Sequence, residues 1–150
     1  MKTNNKTTAE FFVLGKKAHG SNFATDGETA TSYTTDIATH NGNCILIALN
    51  YRCCNWYGSF YGRTATTERQ KLYIKRAANK YGINWYEVPK PFARDRKEHE
   101  NNWQYLQANA REMQQKASRA RKIERQMQYN YLAARMLQEA ETYWQTFCEK

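Results

Sequence analysis

CILIALNY, residues 44–51, is the most apolar stretch of the chain, and it decides how the first half is expected to fold. Its length and its β-branched isoleucines are typical of a buried strand. The dipeptide Asn41-Gly42, which favours a tight hairpin turn, stands just before it. We therefore expect residues 44–51 to form the central strand of a sheet.

The residues before this stretch carry the same pattern of short strands and turns. Asp26-Gly27 is a second hairpin signal, and residues 33–38 have the composition of a strand. Residues 11–14 form another compact apolar run, which we assign to the same strand-and-turn region. The sequence thus predicts a small antiparallel meander. One face of it must be covered by a helix, because a lone sheet of this size is only marginally stable.

A basic amphipathic helix is expected after the sheet. Thr67 and Gln70 have the spacing of a helix-capping box, and Gly82 is well placed to end the helix. Lys71 and Lys75 lie on or beside the face opposite the tyrosines of this segment. This basic face is either a solvated surface or a binding surface, and the charge pattern alone does not separate the two.

The last part of the chain is predicted to be helical from about Asp95 onward, with no glycine or proline after residue 92. Unbroken, such a helix would be about 80 Å long. Its apolar stripe rotates along its length, so the helix either serves two surfaces, one of them a second chain, or bends near Asn130. We expect a homodimer or a higher oligomer. The alternative is a helical hairpin within one chain, for which no glycine or proline marks the linker.

The fold class predicted from these elements is α+β: a small N-terminal antiparallel sheet, a short basic helix, and long C-terminal helix or helices that mediate oligomerisation. The 150 residues suit one folded unit, with the sheet and first helix in residues 1–91 and the helical segment in residues 92–150. Aromatic residues make up 14% of the chain, so we expect an ordered protein rather than a disordered one.

The charge of the chain points to an acidic partner. There are 23 Lys and Arg against 14 Asp and Glu, a net charge of +9, which suits nucleic acid, a nucleotide or an acidic protein face. No apolar run is long enough to cross a membrane, and residues 1–10 lack the apolar core of a secretory signal. We therefore expect a soluble, intracellular protein that does not bind membranes.

The sequence gives no support for catalysis. Its four cysteines show no CxxC spacing and its three histidines are scattered, which disfavours a zinc site and leaves no basis for a Cys/His nucleophilic pair. Paired carboxylates, a Ser/His/Asp set and a phosphate loop are also not recognisable. We expect a binding protein that is not an enzyme, with no cofactor and no bound metal.

The best candidate for anion binding is the start of the long helix. Phe92, Arg94 and Arg96 lie just before or at the expected helix N-terminus, where unpaired N–H groups and guanidinium groups favour a phosphate. Phe92 is expected to stack on a base, and Asn102 to read a base edge. The alternative is that Phe92 fills the core and the arginines pair with acidic residues along the helix.

Two further basic clusters are candidates. Tyr61, Arg63 and Arg69 belong to a segment rich in aromatic residues, 55–70, and aromatic side chains beside arginines suit a single-stranded nucleic acid or a free nucleotide. The alternative is that aromatic residues of this segment fill the core. The third cluster includes Arg119 and Arg125 and carries +4 over residues 116–125. In an oligomer it would line a shared positive cavity, and otherwise it is a solvated helix face.

The segment HGSNFATDGETATSYTTDIA, residues 19–38, with YGRTATTERQ at residues 61–70, resembles a motif of small phage and mobile-element proteins. The overall layout is similar to that of phage anti-Thoeris proteins. This resemblance implies a non-enzymatic counter-defence protein of the bacterial host cytoplasm that sequesters a small anionic nucleotide, such as a cyclic ADP-ribose isomer or a cyclic oligonucleotide. Two alternatives are a basic nucleic-acid-binding protein of phage origin and an inhibitor of a host defence protein.

Overall fold

The computed structural model describes residues 2–49, 51–55, 58–62 and 65–149, with the backbone alone described in the two strands within residues 51–62. The chain divides into two compact units, Met1–Phe92 and Ala93–Lys150. The architecture is α+β, as the sequence predicts, with the sheet in the first unit and the long helices in the second.

The first unit consists of a six-stranded sheet, a separate β-hairpin and two helices. Six strands form this sheet in the order β1-β2-β3-β4-β5-β8, and β6 and β7 pair separately as a hairpin. The elements are α1 (Asn5–Val13), β1 (Lys17–His19), β2 (Phe23–Asp26), β3 (Thr29–Ser32), β4 (Thr35–Asn41), β5 (Cys44–Ala48), β6 (Tyr51–Asn55), β7 (Gly58–Gly62), α2 (Ala65–Lys80) and β8 (Trp85–Val88).

Both predicted hairpin turns are present. Asp26 closes the first, because its Oδ1 accepts hydrogen bonds from the backbone N–H of Glu28 at 2.9 Å and of Thr29 at 2.7 Å. Gly27 and Gly42 have φ of 98° and 63°, values that few residues other than glycine adopt. The turn residues thus fix the register of β2 on β3 and of β4 on β5.

The sheet is not purely antiparallel, which corrects the predicted meander. β5 lies between β4 and β8, and its pairing with β8 is parallel. A parallel neighbour requires a crossover, and the chain between β5 and β8 supplies one through the β6–β7 hairpin and α2. All five residues of β5 are buried, as expected of the most apolar stretch, but the strand ends at Ala48 rather than Tyr51 and lies one position from the sheet edge rather than at its centre.

One predicted strand is wrong, and a second begins two residues later than predicted. Residues 11–14 end helix α1 rather than forming a strand, because Asn4 caps that helix and Phe12 packs into the core from it. Residues 33–38 were expected as one strand, but Tyr33 adopts a left-handed φ of 55° in a turn, and β4 begins only at Thr35.

Helix α2 begins two residues before the predicted Thr67 and ends before Gly82, whose φ of 69° confirms the predicted stop. Lys71 departs from the predicted basic face: its side chain is fully buried and forms an ion pair with Glu87 on β8. Burial acts to raise the pKa of Glu87, but the hydrogen bonds and charges of Lys71 and Lys75 outweigh it and lower that pKa. A buried cation therefore ties α2 to the sheet.

The second unit is a helical hairpin of α3 (Arg96–Arg119) and α4 (Ile123–Phe147). This is the helical hairpin within one chain that the sequence left as the alternative to a single long helix, and α4 continues through Asn130, where the sequence suggested a bend. The chain reverses at Ala120 and Lys122, where both residues have extended backbone angles, and the Gln126 side chain donates to the Ala120 carbonyl at 2.7 Å. No helix in the described part of the chain is long and apolar enough to span a bilayer.

Candidate anion-binding site

The turn of the helical hairpin forms an open cleft of about 560 Å³. Five of its lining residues are cations and one is aromatic, and none is acidic. The lining consists of Lys116, Arg119, Ala120, Arg121, Lys122, Arg125 and Tyr129. The hairpin thus brings together Arg119 and Arg125, two of the predicted site residues, from the end of one helix and the start of the next.

Local helix chemistry accounts for only part of this cluster. Lys116 and Arg119 lie in the last turn of α3, where the partial negative charge of the helix end favours cations. Lys122 and Arg125 lie at the positive N-terminal end of α4, which disfavours them. The second pair is therefore placed against the preference of its own helix.

The N-terminus of α4 also lacks a side-chain cap. Lys122 occupies the N-cap position and its side chain makes no capping hydrogen bond. The first N–H groups of a helix have no partner within the helix. Backbone donors and cationic side chains therefore meet at the same end of the hairpin, an arrangement suited to an anion.

The charges of the cleft are not neutralised by neighbouring carboxylates. Within the described ranges, no Asp or Glu forms an ion pair with any of the five cations. Glu124 is the acidic residue of the first turn of α4, and it does not line the cleft. The site therefore concentrates positive charge that a multiply charged anion would neutralise.

The N-terminus of α3, the predicted phosphate site, is occupied by carboxylates of the chain itself. Asp95 accepts a hydrogen bond from the N–H of Glu98 at 2.9 Å. The Nε of Arg96 donates to Glu100 at 3.0 Å, and the Arg94 N–H lies 3.5 Å from a Glu98 carboxylate oxygen. The pairing of Arg96 follows the alternative stated for the sequence. Asp95 and Glu98 have capping-box spacing, a signal that was already present in the sequence.

Asn102, expected to read a base, lies in the interior of the hairpin. It is fully buried, and its Nδ2 donates to the Tyr143 hydroxyl at 2.9 Å. The same hydroxyl lies 2.7 Å from Nδ1 of His99, whose ring stacks on Phe147 with centroids 4.3 Å apart. Burial lowers the pKa of His99, against the opposing charges of Glu98 and Asp95. This polar cluster joins α3 to α4 and is not open to a ligand in this conformation.

The remaining predicted residues lie in the first unit. Phe92, its last residue, and Arg69 on α2 are both exposed. Tyr61 belongs to β7, for which the backbone is described, and Arg63 lies outside the described residues together with the neighbouring Trp56 and Tyr57. The aromatic and basic cluster of residues 55–70 is therefore left as a prediction.

Tyr129 is the lining residue that sequence reasoning did not select. Its spacing from Leu132 and Met136 fits an apolar helix stripe rather than a ligand site. Lys116, Arg121 and Lys122 lie within the basic run of residues 116–125, but the run alone does not show which of its members share a site. These residues converge because the chain reverses at residues 120–122, and no glycine or proline in the sequence indicates that turn.

The described residues contain no set of three or more His, Cys, Asp or Glu positioned to hold a metal ion. Cys44 and Cys148 are free and buried, and burial raises the pKa of both thiols. Comparison of the chain with protein-family models, curated proteins and solved structures gives no match.

Proposed function

We propose that this protein binds a small phosphate-bearing ligand, a nucleotide, in the cleft of the helical hairpin and holds it without altering it. One observation carries the proposal: five cations from two helix ends and their linker line one cleft with no carboxylate among them. The volume of about 560 Å³ falls within the roughly 300–1,000 Å³ of small-molecule sites.

Each part of the cleft has a role in this proposal. The guanidinium groups of Arg119 and Arg125 give charge-assisted, bidentate contacts to phosphate oxygens. Tyr129 offers an aromatic surface at the edge of the cleft for a base or sugar. A ligand with two or more phosphates neutralises more of the cluster than one with a single phosphate. The cyclic ADP-ribose isomers and cyclic oligonucleotides implied by the phage resemblance have this chemistry.

The test is equilibrium dialysis of the full-length protein against a cyclic ADP-ribose isomer and, separately, a cyclic dinucleotide. We expect one of them to be retained by the protein and to be recovered intact after heat denaturation. Recovery of a converted product would contradict passive capture. Retention of neither ligand would remove both from the proposal.

Matched variants locate the site. The double variant Arg119→Gln/Arg125→Gln is expected to weaken retention by at least about tenfold, the effect of losing one or two charge-assisted contacts. Arg94→Gln is the control, because it removes one exposed cation from the start of α3 and leaves the cleft intact. Loss of retention in Arg94→Gln alone would place the ligand at the α3 terminus instead.

Nucleic-acid binding is the second candidate function, favoured by the exposure of the cleft cations and the net charge of +9. Nucleic-acid binding is identified by an affinity that falls steeply as the salt concentration rises. If all five cations contacted phosphates of a single strand, the slope of log K against log salt would be about −3.5. Fluorescence anisotropy with a labelled single-stranded oligonucleotide at several salt concentrations measures this slope. Binding of a cyclic dinucleotide with no oligonucleotide binding would exclude this candidate.

A further inference from the structure

The outer face of α4 carries a stripe of exposed apolar side chains. Ile123, Met127 and Tyr131 are 72%, 67% and 67% exposed. They recur every four residues and therefore share one side of the helix. Ala133, which α4 buries, follows Tyr131 by two residues, about 200° around the helix axis. The stripe thus lies on the side of α4 that faces away from its buried positions.

We propose that this stripe, Ile123, Met127 and Tyr131, binds the same stripe of a second copy of the chain, with the two α4 helices antiparallel. The proposal is independent of the function of the cleft. It fixes a register: the two-fold axis passes midway between Met127 and Tyr131, so that each Met127 packs on the partner subunit's Tyr131. Contacts of methionine sulfur with aromatic rings are favourable, and such an interface is self-complementary, as two-fold symmetry requires.

The charges beside the stripe complement each other in the same register. Glu124 lies five residues before the axis and Arg135 six residues after it, about 7.5 Å and 9 Å along the helix. In an antiparallel pair, Glu124 of each copy therefore comes level with the partner subunit's Arg135. Both residues are exposed, and Arg135 has only a loose pair with Glu139, at 3.7 Å between Nε and Oε1. Two symmetric ion pairs thus flank the apolar contact and select the second copy as the partner.

The basic clefts do not oppose this arrangement. Arg125, the cleft cation nearest the axis, lies four residues from it, so its two copies are about 12 Å apart along the helices. This separation exceeds the Debye length of about 8 Å at physiological salt. Tyr129, which lines the cleft, is also about 200° around the helix from Met127 and Tyr131. The cleft and the stripe are therefore separate surfaces of α4.

Sedimentation equilibrium of the full-length protein tests the proposal. One helix packed on another is a small interface, below about 1,200 Å², so we expect a monomer–dimer equilibrium with Kd on the order of tens of micromolar. Met127→Glu is expected to weaken the dimer at least about tenfold by placing charge on an apolar contact. The control Gln114→Glu, at an exposed position of α3, should leave the Kd unchanged.

Charge-reversal variants test whether a second copy of the chain binds the stripe, and whether it binds in the proposed register. Glu124→Arg and Arg135→Glu alone each place like charges together and are expected to weaken the dimer several-fold. The double variant Glu124→Arg/Arg135→Glu is expected to restore the dimer to near the original Kd, and Arg111→Glu on α3 serves as the control.

A chain that stays monomeric up to about 500 μM, or a dimer insensitive to Met127→Glu, would overturn the proposal. Failure of the double variant to restore the dimer would overturn the register. Circular dichroism confirms that each variant remains folded.

Discussion

At the scale of single residues, His99 links the stability of the hairpin to pH. Its pKa is lowered from the ordinary value of 6.5 because the ring is buried, against the charges of Glu98 and Asp95. The unfolded chain therefore binds a proton at a higher pH than the folded chain does. The stability that the neutral ring supports is present above pH 6.5 and is lost as the pH falls through the folded pKa.

We predict that His99→Gln removes this component of the pH dependence. The variant loses the ring contacts with Phe147 and is less stable than the original chain at pH 7.5. The difference in unfolding free energy between the two proteins should shrink as the pH falls below 6.5, because only the original chain has a ring to protonate. Urea unfolding of both proteins between pH 5 and pH 7.5 measures it. A constant difference across this range would show that His99 does not titrate with folding.

The structural role of a residue could be predicted from the sequence where the residues that it contacts are close to it along the chain. Asp26-Gly27 and Asn41-Gly42 determine their turns through local backbone geometry, and Gly82 ends α2 in the same way. Asn102 shows the opposite case, since its role depends on Tyr143, a residue 41 positions further along. Its amide is equally suited to a base edge and to a buried hydroxyl, so only the tertiary fold decides between them.

At the scale of elements, the two long helices differ at their N-termini in a way that separates stability from binding. Asp95 caps α3, whereas Lys122 leaves α4 without a side-chain cap. We predict that Asp95→Ala lowers the unfolding free energy by about 1 kcal/mol, and that Lys122→Ser raises it by about 0.5–1 kcal/mol by supplying a cap. Thermal or urea unfolding gives both changes.

The same two substitutions should have unequal effects on ligand retention in the cleft. Lys122→Ser removes a lining cation and is expected to weaken retention several-fold while the helix becomes more stable. Asp95→Ala should leave retention unchanged. A Lys122→Ser protein that is more stable and binds equally well would show that the missing cap is incidental to binding.

The position of the hairpin turn could not be predicted from the sequence, which offered a hairpin only as an alternative. Ala120 and Lys122 have no intrinsic preference strong enough to end a helix, and the apolar spacing continues through them with only a change of face. The reversal is held by packing between α3 and α4, where Ala110 and Ala117 on one helix and Ala133 and Ala140 on the other are buried. These small alanine side chains let a second helix approach closely, and that helix belongs to the same chain.

At the scale of the whole molecule, a net charge of +9 gives any anion a general attraction to the protein, which must be separated from binding at the cleft. A ligand that binds only the folded chain stabilises it by about 2.7 kcal/mol at a concentration of one hundred times its Kd. Screening by simple salt does not depend on which cations are present in the cleft. Binding at the cleft and general charge screening therefore respond differently to substitution of the cleft cations.

We predict that inorganic tripolyphosphate raises the Tm of the protein by several degrees at low ionic strength, and that sodium chloride of equal ionic strength does not. Most of this increase should be lost in Arg119→Gln/Arg125→Gln and kept in Arg69→Gln/Arg94→Gln, which removes the same charge from exposed positions elsewhere. Differential scanning calorimetry gives all three values. Equal losses in the two double variants would mean that tripolyphosphate responds to total charge, because only a localised site distinguishes two proteins of identical net charge.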